Sequence, residues 1–201
     1  MSMPLSVPRS LSARLGAFGA SAALVAGAVV ATAPAAEAEP VSLKSSYTCT
    51  TALGDQTMAV TVKIDLPTKV RRNKAVASRP VKMKVVVPES LVTPMRDVLG
   101  ITALSGSASD IAYRVGAKKV PLANVTIPRT DVPASGAMTL KASGTAKGFR
   151  LKKPGKYVIR IPSSFTFNAD NQDGQPVPSS PFPCAVAEGA PTKLGVLKVV
   201  R

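Results

Sequence analysis

The two cysteines of this 201-residue chain restrict its fold more than any other feature. Each lies two residues after an aromatic, in Tyr47-Thr48-Cys49 and Phe182-Pro183-Cys184, near opposite ends of the region that follows residue 38. On a strand, positions i and i+2 share a face, so each motif sends an aromatic ring and a sulfur to the same side. Two thiols in an oxidising compartment have one intramolecular pairing, and a Cys49–Cys184 disulfide is expected. Closing a loop of about 136 residues would restrict the unfolded chain by about 5 kcal/mol on the chain-entropy model. A nucleophilic or metal-binding role for either sulfur is disfavoured, because the chain has no histidine to activate a thiolate and too few ligands for zinc.

The oxidising compartment is itself an inference from the N-terminus. Arg9 and Arg14 precede an apolar run from Leu15 to Ala33, and the small-residue pattern Ala36-Glu37-Ala38 follows. This reads as a secretory signal peptide over residues 1–38, cut after Ala38, with a cut after Ala35 as the nearest alternative. The competing reading is an uncleaved anchor, since the run approaches the roughly 20 residues that span a bilayer. Its Ala, Gly and Val composition favours cleavage, and the separated arginines favour the general secretory route. The product is expected to be secreted, extracellular or envelope-associated, with no transmembrane segment left. Residues 39–190 then form one domain. Residues 191–201 form a tail whose Leu194, Val196, Leu197 and Val199 suit a final strand.

Within the domain, hydrophobic residues alternate with a period of two, as in Met58 to Ile64 and Val81 to Val85. Further strands are predicted at 43–52, 103–115, 120–127, 138–146, 157–161, 165–168 and 182–186. Gly, Pro and Asx clusters separate them, including a hairpin loop at Leu53-Gly54-Asp55-Gln56. One segment has helical spacing: Leu91, Met95, Val98 and Leu99 fall on one face. Thr93 is the expected cap, Pro94 the first helical position and Gly100 the stop. Together these elements predict a mainly β fold, an immunoglobulin-like Greek-key β-sandwich with one short helix.

Several of these segments also carry a family resemblance. Tyr47-Thr48-Cys49-Thr50, the proline-ended strand Val60 to Pro67, the helix after Val87-Pro88, Leu104-Ser105-Gly106-Ser107-Ala108, and Phe182-Pro183-Cys184 occur in that order. Over about residues 43–200 the chain resembles a secreted actinobacterial β-sandwich domain family of unknown function, marked by a Tyr-x-Cys and Phe-x-Cys frame. The resemblance implies an immunoglobulin-like sandwich and an extracellular location, and it transfers no catalytic residues. The strongly basic charge departs from that family's pattern.

That charge is the second informative feature. With Arg9, Arg14 and Glu37 in the leader, residues 39–201 keep 24 Lys and Arg against 10 Asp and Glu. Seven cations lie between Asp65 and Glu89 without an acid: Lys69, Arg71, Arg72, Lys74, Arg79, Lys82 and Lys84. Seven more lie between Asp131 and Asp170: Lys141, Lys147, Arg150, Lys152, Lys153, Lys156 and Arg160. Such blocks project a positive potential over about 8 Å at physiological salt. An anionic-polymer site is expected on Lys69, Arg71, Arg72, Lys74, Lys82, Lys84, Lys147, Arg150, Lys152, Lys153 and Lys156. The plainer reading is a solvated basic face that keeps the protein soluble.

Other classes fare worse. A Ser-His-Asp triad is impossible without histidine, and no Ser-x-x-Lys occurs. The few carboxylates lie beside turns rather than in pairs, so no enzyme activity, catalytic residue or cofactor is expected. Specific nucleic-acid binding would need aromatic platforms between the cations, and three Tyr, five Phe and no Trp do not supply them. The segment Asn168 to Gly174 fails as a calcium loop, because Ala169 and Ser180 fall where ligands are required, and no metal is expected. Two functions remain: a non-catalytic module that binds anionic cell-envelope or extracellular polymers, and a structural or protein-interaction domain that contacts another secreted protein, its charge incidental.

Overall fold

The computed structural model describes residues 38–201, so the leader, apart from Ala38, lies outside the described residues. Among these residues the fold is mainly β, with one helix. Its first hairpin joins β1 (Ala38–Thr51) to β2 (Gly54–Pro67) in register along their whole length. Strand alternation explains it: Val60, Val62, Ile64 and Leu66 are buried while Lys63 and Asp65 face outward. The turn is Ala52-Leu53, one step earlier than the predicted loop, and Gly54 at φ 84° opens β2.

Two short strands, β3 (Lys69–Arg71) and β4 (Ala75–Val76), lead into β5 (Arg79–Val87). The helix α1 follows at Glu89–Asp97, with Pro88 as its N-cap. It starts a full turn before the predicted Thr93 cap, because that extra turn brings Leu91 and Val92 into the core beside Met95. Pro94 is therefore inside the helix, and Val98, expected on the buried face, is 73% exposed. Gly100 ends the helix at φ 66°, its N–H donating to Arg96 O.

The predicted strand at 103–115 is two strands, β6 (Ala103–Ser109) and β7 (Ala112–Val115), broken where Asp110 adopts φ 54°. The remaining strands are β8 (Lys118–Asp131), β9 (Met138–Ala146), β10 (Phe149–Arg150), β11 (Gly155–Arg160), β12 (Ser164–Asp170), β13 (Phe182–Val186) and β14 (Lys193–Val200).

Pairing departs from the expected immunoglobulin-like sandwich. The order β8-β6-β12-β13-β1-β2-β5-β9 returns to β8, closing an eight-stranded antiparallel barrel. Closure rests on β8, which pairs with β6 through Val125 to Asp131 and with β9 through Leu122 to Thr126. It bends at Asn124, within the stretch paired with β9, where φ is 53° and the register shifts. Each of these eight strands is therefore paired on both sides, and the ring itself has no open edge. The first four residues of β8 instead pair with β7 and extend the sheet as a flange, β8-β7-β11-β14-β3.

The core divides accordingly. Around α1, Leu91, Val92, Met95, Met138, Leu140 and Phe182 close one end of the barrel. Towards the other end, Val62, Ile64 and Leu66 of β2 pack with Val115, Ile159 and Leu197 on the inner face of the flange. Cys49 and Cys184 are direct cross-strand partners of β1 and β13, with Cα atoms 4.0 Å apart, and form the disulfide. Tyr47 and Phe182 are buried beside them, and Tyr47 donates to Pro162 O at 2.7 Å while its ring meets Phe165 edge-on.

Candidate functional site

Every pair of charged residues directly opposed across strands, among the described residues, is positive on both sides. On the barrel wall these are Lys63 with Lys82 and Lys84 with Lys141. On the flange, Lys119, Arg114, Arg160 and Lys193 stand in one row across β8, β7, β11 and β14. Lys156, Lys198 and Lys69 make a second row across β11, β14 and β3. Opposed partners project to the same side of a sheet, and all seven flange cations are exposed. Their strand neighbours Tyr113, Val115, Ile159, Leu197 and Val199 are buried on the opposite face, so alternation turns the cations outward.

No acid lies on β3, β7, β11 or β14. Like charges directly opposed cost on the order of a few tenths of a kcal/mol per pair. Between the rows, Val158 is opposed to Val196, which is 40% exposed, leaving an uncharged strip. Arg160 Nη1 donates to Thr192 Oγ1 at 2.9 Å, which steadies its guanidinium.

The cations selected from the sequence separate into two groups. Lys69 and Arg71 lie on β3, Arg72 and Lys74 in the turn after it, and Arg150 on β10 opposite Ala75, the residue following Lys74. Lys147, Lys152 and Lys153 occupy the turns flanking β10, and Lys156 lies on β11. Backbone bonds join these segments: Arg72 N–H to Val200 O, Asn73 N–H to Leu151 O, and Lys147 N–H to Pro121 O. The tyrosine hydroxyls tie the turns down, Tyr113 donating to Lys147 O and Tyr157 to Lys153 O. Two sequence blocks thus meet at the flange end. Lys82 and Lys84 do not join them; they lie on β5, on the outer barrel wall between β2 and β9.

Sequence reasoning missed Arg114, Lys119, Lys193 and Lys198. Lys193 and Lys198 are five residues apart, which on a regular strand sends them to opposite faces. The register shift between β11 and β14 places Arg160 opposite Lys193 while Lys156 still faces Lys198, and both lysines point outward. Asp110 and Asp131 closely bracket Arg114 and Lys119, so no long acid-free block drew attention to them.

The interior offers a different kind of space. Cavities of about 60 and 70 Å³ lie beneath α1 and inside the barrel, sharing Phe167 as a wall, and their linings are almost wholly apolar. The turn at Asn171 is closed by its own side chain, whose Oδ1 accepts from the N–H groups of Asp173 and Gln175. Among the described residues no helix is long and apolar enough to cross a membrane.

A family model matches residues 46–195, from just before the first cysteine motif to the middle of β14. The chain belongs to the DUF6801 family. That family is described as one of unknown function, and its model takes in the disulfide frame, the barrel apart from the first eight residues of β1, and the flange apart from the last five residues of β14. Comparison with curated proteins and comparison with solved structures each return no match.

Proposed function

We propose that this member of the DUF6801 family is a secreted, non-catalytic domain that binds anionic envelope or extracellular polymers through its basic surface. The observation that carries the reading is the strand register: among the described residues, every directly opposed charge pair is cationic. Such pairing opposes folding, and a polyanion laid over it would relieve the repulsion. The disulfide and the absence of a membrane-spanning helix among the described residues are consistent with secretion. A chain without histidine, whose interior cavities have almost no polar lining, also gives little support to a catalytic role.

The test is capture of the oxidised protein on isolated envelopes and on purified anionic polymers across a salt series. Binding at low salt with release by moderate salt is the expected result. Failure to bind any anionic polymer at low salt would sink the reading. Salt-resistant capture of a single protein would support instead a structural or protein-interaction role with incidental charge.

A further inference from the structure

The two cation rows differ from a diffuse basic patch in having a direction. Across the strands, neighbouring cations recur at the strand spacing of about 4.8 Å, so the row Lys119, Arg114, Arg160 and Lys193 extends about 14 Å. Along a strand the interval is much longer. On β11 the next outward cation after Lys156 is Arg160, about 13 Å away, and the uncharged Val158 lies between them. We infer that the outer face of the flange is a site for a linear polyanion running perpendicular to the strands, carrying a negative charge on each repeat unit at roughly the strand spacing.

This rests on the reading of the basic surface as a polyanion site and narrows it to one face, one direction and one charge density. A chain in this direction meets four cations in succession, with two guanidiniums at the centre. Those planar forks match carboxylate or phosphate oxygens in pairs, and Thr192 holds one of them in place. The exposed Val196 beside the row can take the non-ionic faces of the repeat units. A planar lipid surface fits less well, because it presents charge in both directions while these cations are confined to rows.

Two polymers separate the possibilities: polygalacturonate carries a carboxylate on every sugar, and hyaluronate on every second sugar. Affinity of the oxidised protein for each is measured against salt concentration, with vesicles of anionic lipid as a third arm. The inference expects polygalacturonate to bind about tenfold more tightly or better, with the logarithm of affinity falling more steeply with salt. The variant Arg114→Gln/Arg160→Gln should lower that slope by about 1.4, near 0.7 per cation lost. Lys82→Gln/Lys84→Gln on the barrel wall, away from the two rows, should lower the slope by less than half as much. A second flange variant, Lys119→Gln/Lys193→Gln, probes the row without touching the bond to Thr192. Because the substitutions remove opposed like charges, melting temperatures should hold or rise, which separates lost binding from lost folding.

Equal affinity for the two polymers, an equal loss from the barrel-wall pair, or tighter binding to vesicles would each overturn the flange site while leaving polyanion binding intact. If the wild-type protein binds none of the three at low salt, the broader reading falls, and the site with it.

Discussion

Ser45 lies on the inward face of β1 between Leu43 and Tyr47, 5% exposed, and its hydroxyl has no hydrogen-bond partner. A buried, unpaired hydroxyl costs stability that an apolar residue of similar size does not lose. Ser45→Ala is expected to raise the unfolding free energy by about 1 kcal/mol, seen as a higher urea midpoint at unchanged slope. The buried phenols make a second prediction at this scale. Burial pushes Tyr113 up to about 12 from an ordinary 10.0 and Tyr47 higher still, while each donates to a backbone carbonyl. The unfolded chain releases these protons from about pH 10, whereas the folded chain keeps them. Their contribution is therefore full below pH ~10 and is lost as pH climbs through the folded value. Urea midpoints should fall over that window, and more shallowly in Tyr113→Phe; parallel declines in variant and wild type would refute the assignment. The inward direction of Tyr47 was legible from its two-residue spacing to Cys49. Ser45 has the same parity, but its lack of a partner depends on strands far away in sequence.

At the scale of elements, β8 does the most to set the architecture. Its central run was readable from alternation, but its bend and double pairing were not, because both depend on Asn124 at φ 53° and on which strands arrive at its two edges. Asparagine tolerates the left-handed region, and a β-branched residue there is strained. Asn124→Val is expected to cost about 2 kcal/mol, whereas Asn124→Gly should be near neutral. Chemical denaturation of both variants checks this, and a neutral valine would show that barrel closure does not need the bend. The helix gives a similar lesson. The spacing of Leu91 and Met95 identifies it, but Pro94 imitates a first helical position and hides the true start at Glu89. Burial of Leu91 and Val92 recruits an extra turn ahead of Pro94.

For the whole molecule, the disulfide links strands 135 residues apart in sequence and adjacent in the barrel. Replacing both cysteines, Cys49→Ala/Cys184→Ala, is expected to lower stability by about 2 to 5 kcal/mol, mostly by freeing the unfolded chain. Denaturant unfolding of the oxidised wild type against the variant measures it, and equal midpoints would show that the clamp contributes nothing. The candidate site also belongs to this scale. Nine of the eleven cations selected from the sequence meet at the flange end, yet the longest row consists of residues that the selection left out.

Local pattern alone establishes the β character, the inward and outward parity of each unbulged strand, the pairing of the only two cysteines and the excess of positive charge. Each follows from local spacing or from composition. Closure of the strands into a barrel, growth of a flange from one end of β8, and the alignment of cations from five strands in two rows all depend on the folded molecule. Hydrogen-bond register between distant segments and single-residue bulges set those outcomes, and a bulge reverses the face of every side chain beyond it without leaving a mark in the local pattern.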